Sequence, residues 1–471
     1  MSEEHNIDNS GEKTNAYAKE SKRQIKLPAG ASDIIQKLER SGYEAYIVGG
    51  CVRDVLLGRT PHDWDICTSA TPSEMKVALN GMKTYDTGIK HGTLTVNGND
   101  KEMYEVTTFR TDGKYSDGRH PDNVSFVRSL REDIMRRDFT MNALAYNKKT
   151  GVVDLVGGME DIRAGRIRCV GVPEDRFNED GLRILRALRF ASVYEFKIES
   201  ETAKAVHECR GLLDRIARER VTVELLKLLH GKGRLGILME YSDIIAQIIP
   251  EMKPCIGFEQ NNPYHKYDVY EHIMQSVDRY QGDDDKILLA LLLHDIGKPS
   301  CYSEDERGGH FYGHAAVSAE MADTVLRTLR VDNATRTEAV ELIKAHDMSF
   351  PKTKSATRRM LAKLGEDRFH RLMDVRLADI EAHSEYSRET TVRHRRECIV
   401  MAEEILNEEK CFSVKDLEID GNDVMRTLNI RPGKSVGNVL KTLLDEVLAG
   451  KITNDKDVLV KRAATVYEEC R

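Results

Sequence analysis

Long apolar runs are missing from this chain. Nowhere does it approach the ~20 consecutive apolar residues that span a bilayer, so the sequence does not read as a membrane protein. Cys-x-x-Cys pairs are also missing, and the nine cysteines are scattered and odd in number, which speaks against a zinc–thiolate site and for a reducing cytoplasm. No apolar core marks the start as a signal peptide. Met1 to Arg23 is polar, and residues 1–26 are expected to form a disordered tail. A basic excess is absent as well: 71 Lys and Arg against 78 Asp and Glu give a net charge of -7, which argues against a generally basic nucleic-acid binder. Local arginine clusters can still build a positive path on an acidic protein. Aromatics are scarce at 6% while charged residues reach 32%, a mix typical of soluble, helix-rich proteins. Repeats and low-complexity segments are absent, and 471 residues suffice for three or four compact units.

What is present is organised around Tyr46 to Asp54 and the Asp63-Trp64-Asp65 that follows. Ala45 to Val48 is short, apolar and β-prone, Gly49-Gly50 can adopt angles closed to other residues, and Cys51 to Leu57 has helical spacing before Gly58. A helix starting at Gly50 would present free N–H groups to a phosphate chain, with Arg53 adding a full charge. Asp63 and Asp65, two apart in an extended run, are expected on one strand face, with Trp64 pointing into the core. Paired carboxylates of that kind bind Mg²⁺ between protein and phosphate oxygens. Either feature alone is usually a turn or a solvated strand end; the joint pattern is far more specific.

That joint pattern, Gly-Gly-x-Val-Arg-Asp, then Leu-Leu-Gly-Arg, then Asp-x-Asp, resembles the nucleotidyltransferase core of class II CCA-adding tRNA nucleotidyltransferases and bacterial poly(A) polymerases. These form a branch of the polymerase-beta-like superfamily. The fold so implied is α+β: a head with a small mixed sheet at 27–160, then all-helical neck (161–250), HD (255–384) and tail (385–471) domains. After Asp65, His91 to Val96 and Glu102 to Phe109 read as strands. Glu105 there is either a solvent-facing residue or, by the resemblance, a third catalytic carboxylate. Thr111 to Val124 lacks periodicity and reads as a mobile loop. The resemblance implies that an intact loop accompanies full CCA addition. Arg137 and Asp138, in Arg-Arg-Asp-Phe-Thr-Met-Asn-Ala, fall in the family's motif for ribose and phosphate contacts, although a capped basic helix start would read the same way.

In the neck, Asp180, Arg183, Arg186 and Arg189 recur every three residues and predict a stripe on one side of a helix. Such a stripe is either an exposed salt-bridged face or a reader of bases. A carboxylate accepts from an exocyclic amine while a guanidinium donates to ring acceptors, the edge that cytosine and adenine share. The family uses Glu-Asp-x-x-Arg as a protein template for CTP and ATP, which Asp180 and Arg183 match; Arg186 and Arg189 fall where it holds phosphates. Arg218-Glu219-Arg220 and the helix after it resemble the element supporting the template, and Pro250 to Pro263 reads as a linker.

A second constellation follows: His272, then an apolar run ending in His294-Asp295, then His314, His346 and Asp379. The series resembles the HD phosphohydrolases, whose ligands hold one or two divalent metals. Asp379 is favoured as the last ligand over Asp347, and an HD fold without turnover stays open. Pro432-Gly433-Lys434 before an apolar-periodic helix resembles an RNA-binding tail. The resemblance thus implies a cytoplasmic enzyme that adds or repairs the 3′-terminal CCA of tRNA from CTP and ATP, by two-metal nucleotidyl transfer with Mg²⁺ and with a further divalent metal in the HD domain. The alternatives are a poly(A) polymerase and a tRNA-binding protein with an inactive head. Oligomeric state is left open.

Overall fold

The computed structural model describes residues 24–113, 124–306, 308–408 and 414–469. Most of the expected tail and of the expected mobile loop lies outside these residues. Ile25, drawn into the tail on sequence, is instead 3% exposed, and its N–H donates to Tyr146 Oη at 3.0 Å. The described chain divides into two compact units, 1–248 and 249–471.

In the first unit, the helix Ala29–Arg40 buries Ile34 and Leu38, four apart, completely against a seven-stranded sheet. Its strands are β1 (Ala45–Val48), β2 (Ile66–Thr68), β3 (Thr84–Gly88), β4 (Thr93–Asn97), β5 (Met103–Thr108), β6 (Leu144–Asn147) and β7 (Gly151–Asp154), in the order β3-β4-β5-β2-β1-β6-β7. Only β2 and β5 pair in parallel, so the sheet is mixed, as expected. Alternation along β5 buries Tyr104 and Val106 and leaves Met103 and Glu105 outside. His91 lies in a 3₁₀ turn rather than in a strand.

Asp63 and Asp65 precede β2, which starts only at Ile66, and both are exposed. Trp64 is half-buried instead of sitting in the core, because the stretch is not yet a sheet strand. Beyond the sheet the unit is helical. Pro173–Glu179 and Leu182–Tyr194 are separate helices, and Asp180 between them is extended, at φ -143°.

The second unit is helical apart from a short ribbon, Ser303–Asp305 with Gly308–His310. The expected linker is partly core: Pro250 starts a 3₁₀ turn whose Met252 and Cys255 are fully buried, and Gln260 is 1% exposed. Proline at the first position of a turn sacrifices no hydrogen bond, so here it nucleates structure rather than breaking it. Gly421–Leu428, Lys434–Leu448 and Lys456–Glu469 close on a separate apolar cluster around Val424, Leu443, Leu459 and Val466.

Candidate active site and a buried histidine cluster

Gly49 ends β1 at φ +85° and hands the chain to the seven-residue helix Gly50–Leu56. Its backbone ties the centre together: Gly49 N–H donates to Leu144 O and Val48 N–H to Asp65 O, both at 3.0 Å. Since Ile66 pairs in parallel with Val106, Glu105 comes beside Asp65. The Asp65 carboxyl is raised above its ordinary range, first by the protein crowding it, then by Glu105 and Asp63, with Arg137 opposing. Asp65 thus feels negative charge from both Glu105 and Asp63, which a hard divalent cation would relieve, although the three carboxylates, all among the described residues, are not drawn into one close ligand group.

Arg137 stands at the edge of this centre. A Cβ on Gly49 would lie 3.2 Å from its Nη1, so glycine leaves the guanidinium room. Its other nitrogen donates to buried Asp133 at 3.1 Å. Arg53 behaves differently from expectation. It is 7% exposed, donates to Asn142 Oδ1 at 2.5 Å and to Asp54 at 2.9 Å, and lies over Tyr194 and Phe190 at 4.7 and 5.3 Å. Within the protein it braces the helix against the neck, held by buried aromatic faces and an amide oxygen.

Asp138 is likewise engaged within the protein. Oδ1 accepts from Phe139 N–H and Asn142 at 2.8 and 3.3 Å, while Oδ2 accepts from Arg186 Nε and Nη2 at 2.9 and 2.5 Å. Burial would raise its pKa, but Arg186, Arg183 and the Phe139 N–H together hold it well below the ordinary carboxylate range.

The expected stripe is broken at the start, because Asp180 sits outside the helix that carries the three arginines. Its carboxylate accepts from Leu182 N–H at 3.0 Å and pairs with Arg220 at 2.7 Å. Arg183 pairs with Glu179 at 2.6 Å and donates to Arg176 O and Arg136 O. Arg189 pairs with Glu224 at 3.2 Å and covers Phe190 at 4.0 Å. Glu179 and Arg220 lie in the Glu-Asp-x-x-Arg and Arg-Glu-Arg motifs already picked out in the sequence, whereas Glu224 was not singled out there. The i,i+4 spacing of Arg220 and Glu224 on Arg218–Leu229 was the available signal.

In the second unit, the six ligand candidates His272, His294, Asp295, His314, His346 and Asp379 converge. His294 and His346 follow the last residues of their helices, His314 opens one, and His272 and Asp379 face inward from two more. His294, His314 and His346 each use Nδ1 against a carbonyl three residues earlier, Leu291, Phe311 and Ile343, at 2.8, 2.8 and 2.6 Å. A carbonyl only accepts, so each Nδ1 carries a proton and each Nε2 is the nitrogen turned inward, the one a metal would take. His314 Nε2 then faces His346 Nε2 at 3.2 Å, and His294 Nε2 faces His272 Nε2 at 3.4 Å. Imidazole nitrogens converging at this range beside two carboxylates form a donor set that fits divalent metal, which would replace any proton held between them.

Charge agrees with geometry. Asp295 and Asp379 are held well below the carboxylate range: burial opposes ionisation, but His294 and Lys298 around the first, and His383 and His272 around the second, outweigh it. Burial would lower His294, but Asp295 and Asp379 push it up to about 10, whereas burial prevails at His272 and lowers it. Asp347 is exposed and outside these ligand groups. His265 and His383, missed on sequence, join His272 in a further group. The cluster lies at the base of an open cavity of about 610 Å³ rimmed by Tyr264 and Tyr312. No described helix is long and apolar enough to cross a membrane.

Residues 45–168 match the Poly A polymerase head domain family, residues 195–256 a family described as an RNA and SrmB-binding site of polymerase A, and residues 310–463 tRNA nucleotidyltransferase domain 2. The CCA-adding enzyme of Ligilactobacillus salivarius is 34% identical, covering 93% of this chain and 96% of its own. That of Enterococcus faecalis is 33% identical over 92% and 95%. Among solved structures, the Bacillus stearothermophilus CCA-adding enzyme in complex with CTP superposes with a TM-score of 0.72 at 29% identity, over 94% of this chain and 99% of that one. A Thermotoga maritima CCA-adding enzyme complexed with tRNA shares the fold, with a TM-score of 0.60 at 19% identity. Because these matches run from the sheet through the tail helices, and not over the head alone, the chain belongs to the CCA-adding enzymes, the tRNA nucleotidyltransferases.

Proposed function

We propose that Asp63 and Asp65, with Glu105 beside them, hold Mg²⁺ for template-free addition of CCA to tRNA 3′ ends from CTP and ATP. The observation that carries this reading is the parallel register of β2 and β5, which brings Glu105 beside Asp65, with Arg137 against Gly49. Asp63, Asp65 and Glu105 would hold the divalent metal, which when bound would supply Lewis-acid activation of the tRNA 3′-hydroxyl and charge neutralisation for the leaving pyrophosphate. Arg137 is placed to meet the triphosphate across Gly49. Asp180 accepts from the exocyclic amine of cytosine or adenine and Arg183 donates to the ring acceptor. For that, Arg220 must yield Asp180 and Glu179 must yield Arg183. Arg186 and Arg189 serve phosphates from the same helix, and Asp138 keeps Arg186 oriented. In this reading 27–160 is head, 161–250 neck, 255–384 HD domain and 385–471 tRNA-binding tail, working in the cytoplasm. The free state of all seven described cysteines fits that compartment.

Incubation with tRNA lacking its CCA end and each labelled nucleotide, separately and together, tests the reading. CTP alone should add two residues, and CTP with ATP three. Long A tracts would mean a poly(A) polymerase, and no product at all an inactive head.

A second reading concerns the other unit: the histidine cluster binds divalent metal and hydrolyses phosphate esters. Its support is the pair of Nε2 to Nε2 approaches at 3.2 and 3.4 Å. Metal bound there would activate water against a phosphate. Protein-bound metal lost on His294→Ala, together with lost phosphatase activity, is the expected result. Absence of hydrolysis with Mg²⁺, Mn²⁺, Co²⁺ and Ni²⁺ would leave the unit a structural one.

A further inference from the structure

Lys298 is buried at 4% exposure inside the histidine cluster and has no part in the ligand set. Its ammonium lies 2.7 Å from Asp295 Oδ2, 2.8 Å from Gln260 Oε1 and 3.1 Å from His265 Nε2. Three N–H donors meet three acceptors, and two of these are themselves fixed. Gln260 Nε2 donates to Tyr267 O at 3.1 Å, which turns its Oε1 toward the lysine. His265 Nδ1 lies 2.9 Å from Asn262 Oδ1, an oxygen that already accepts from the Tyr264 and His265 N–H groups. Nδ1 therefore carries the proton and Nε2 offers its lone pair to the ammonium. A fixed positive charge is thus built into the cluster.

We infer that Lys298 is a resident cation of this metal centre that sets both how many ions it takes and how unequally it takes them. The inference rests on the metal-binding reading of the cluster. His265, His272 and His383 form a third ligand group, but the lone pair of His265 is already committed to Lys298, so an ion is excluded there. The other two groups differ in charge. One has His272, His294 and a carboxylate of its own, Asp379. The other has His314, His346 and only Asp295, whose Oδ1 lies 3.2 and 3.6 Å from their Nε2 atoms. Asp295 is the carboxylate that Lys298 neutralises, and it is shared: the Oδ2 that Lys298 holds lies 3.3 and 3.2 Å from His272 and His294 Nε2, but that position keeps Asp379 as well, whereas the His314–His346 position has no other carboxylate. The His272–His294–Asp379 position therefore binds its ion first and tightly, and the His314–His346 position binds weakly.

The test is Co²⁺ binding to the full-length chain carrying Asp63→Asn and Asp65→Asn, which removes the head carboxylates. Calorimetry gives number and affinity of ions, and the visible absorption of histidine-bound Co²⁺ assigns them to the cluster. Two ions are expected, the second at least tenfold weaker. Lys298→Met removes the charge, and Gln260→Glu offsets it with the lysine in place, so a misfolded lysine variant still leaves a test. Either variant should tighten the second ion about tenfold or more. If both bind the second ion as weakly as the parent, or more weakly, the ammonium only supports structure and the inference fails. Three ions in the parent would overturn it as well. No histidine-bound Co²⁺ at all would instead sink the metal reading beneath it.

Discussion

The two candidate centres gather carboxylates in opposite ways. In the first unit, Asp63, Asp65 and Glu105 stand exposed ahead of β2 and on the outer side of β5, two central strands, and Asp65 is repelled by both of the others. In the second, Asp295 and Asp379 are packed among imidazoles that hold them ionised. An open centre suits an ion that arrives with a nucleotide and leaves with pyrophosphate, keeping much of its water. A closed one, with ring nitrogens aimed by backbone carbonyls, suits a resident ion. If this contrast is right, each centre can be broken without the other. Asp63→Ala or Asp65→Ala should lower incorporation of both C and A by roughly 10³-fold or more while tRNA binding persists, because several kcal/mol of charge stabilisation are lost. Near-normal incorporation by either variant would refute the assignment.

The converse break is His294→Ala. It should abolish metal-dependent hydrolysis of phosphate esters and strip metal from the second unit, with CCA synthesis within about twofold of the parent. Equal loss of both activities would mean that the cluster supports the whole protein rather than a reaction of its own.

How readily each centre could be read from sequence also differs, and the reason is physical. The convergence of the histidines and aspartates was legible because a His-Asp pair ends an apolar helix and the whole series resembles that of the HD phosphohydrolases. His265 escaped because it lies in an irregular segment and joins the cluster through Lys298 and its neighbouring rings. In the first unit, the sheet followed from alternation, while Asp63, Asp65 and Glu105 were singled out by their resemblance to a family motif and not by spacing alone. The partners of Arg53, namely Asn142, Phe190 and Tyr194, lie 89 residues and more away in sequence and could not be read from its own motif. Asp180 looked helical until Gly181 broke the stripe and Arg220 claimed its carboxylate.

Within the first unit the contrast recurs between paired and unpaired carboxylates. Asp138→Asn leaves Arg186 without its main partner, and the fold should lose about 3 kcal/mol, the low end for a buried pair because Arg186 stays partly exposed. Thermal unfolding at neutral pH reads this directly. A loss below about 1 kcal/mol would mean that Glu224, 4.0 Å away, replaces Asp138. Asp180→Ala and Arg183→Ala should instead spare most of the fold and relax discrimination against UTP and GTP by roughly 5- to 150-fold, as an unpaired polar group costs about 1–3 kcal/mol. Single-turnover rates with all four nucleotides decide it. Uniform loss across the four would assign these residues to phosphate or RNA.

The smallest expected effect is a gain in stability. A carboxyl whose pKa is raised on folding binds its proton more tightly in the native chain than in the unfolded one. At Asp65, crowding and then Glu105 produce that rise from the ordinary 3.8. Its contribution is therefore fully present below pH 3.8, is lost as pH rises through the raised value, and stays lost at neutrality. Asp138 has the opposite sign, contributing at neutral pH and fading only in strong acid. Without metal, in EDTA, Asp65→Asn should accordingly melt slightly above the parent at pH 7, and the difference should vanish on acidification, while the deficit of Asp138→Asn shrinks as pH falls through the pKa of the buried carboxylate. An Asp65→Asn chain that melts below the parent at pH 7 would show that the negative charge at 65 is stabilised by Arg137 rather than strained by its neighbours, and the open centre would then be preformed without its ion.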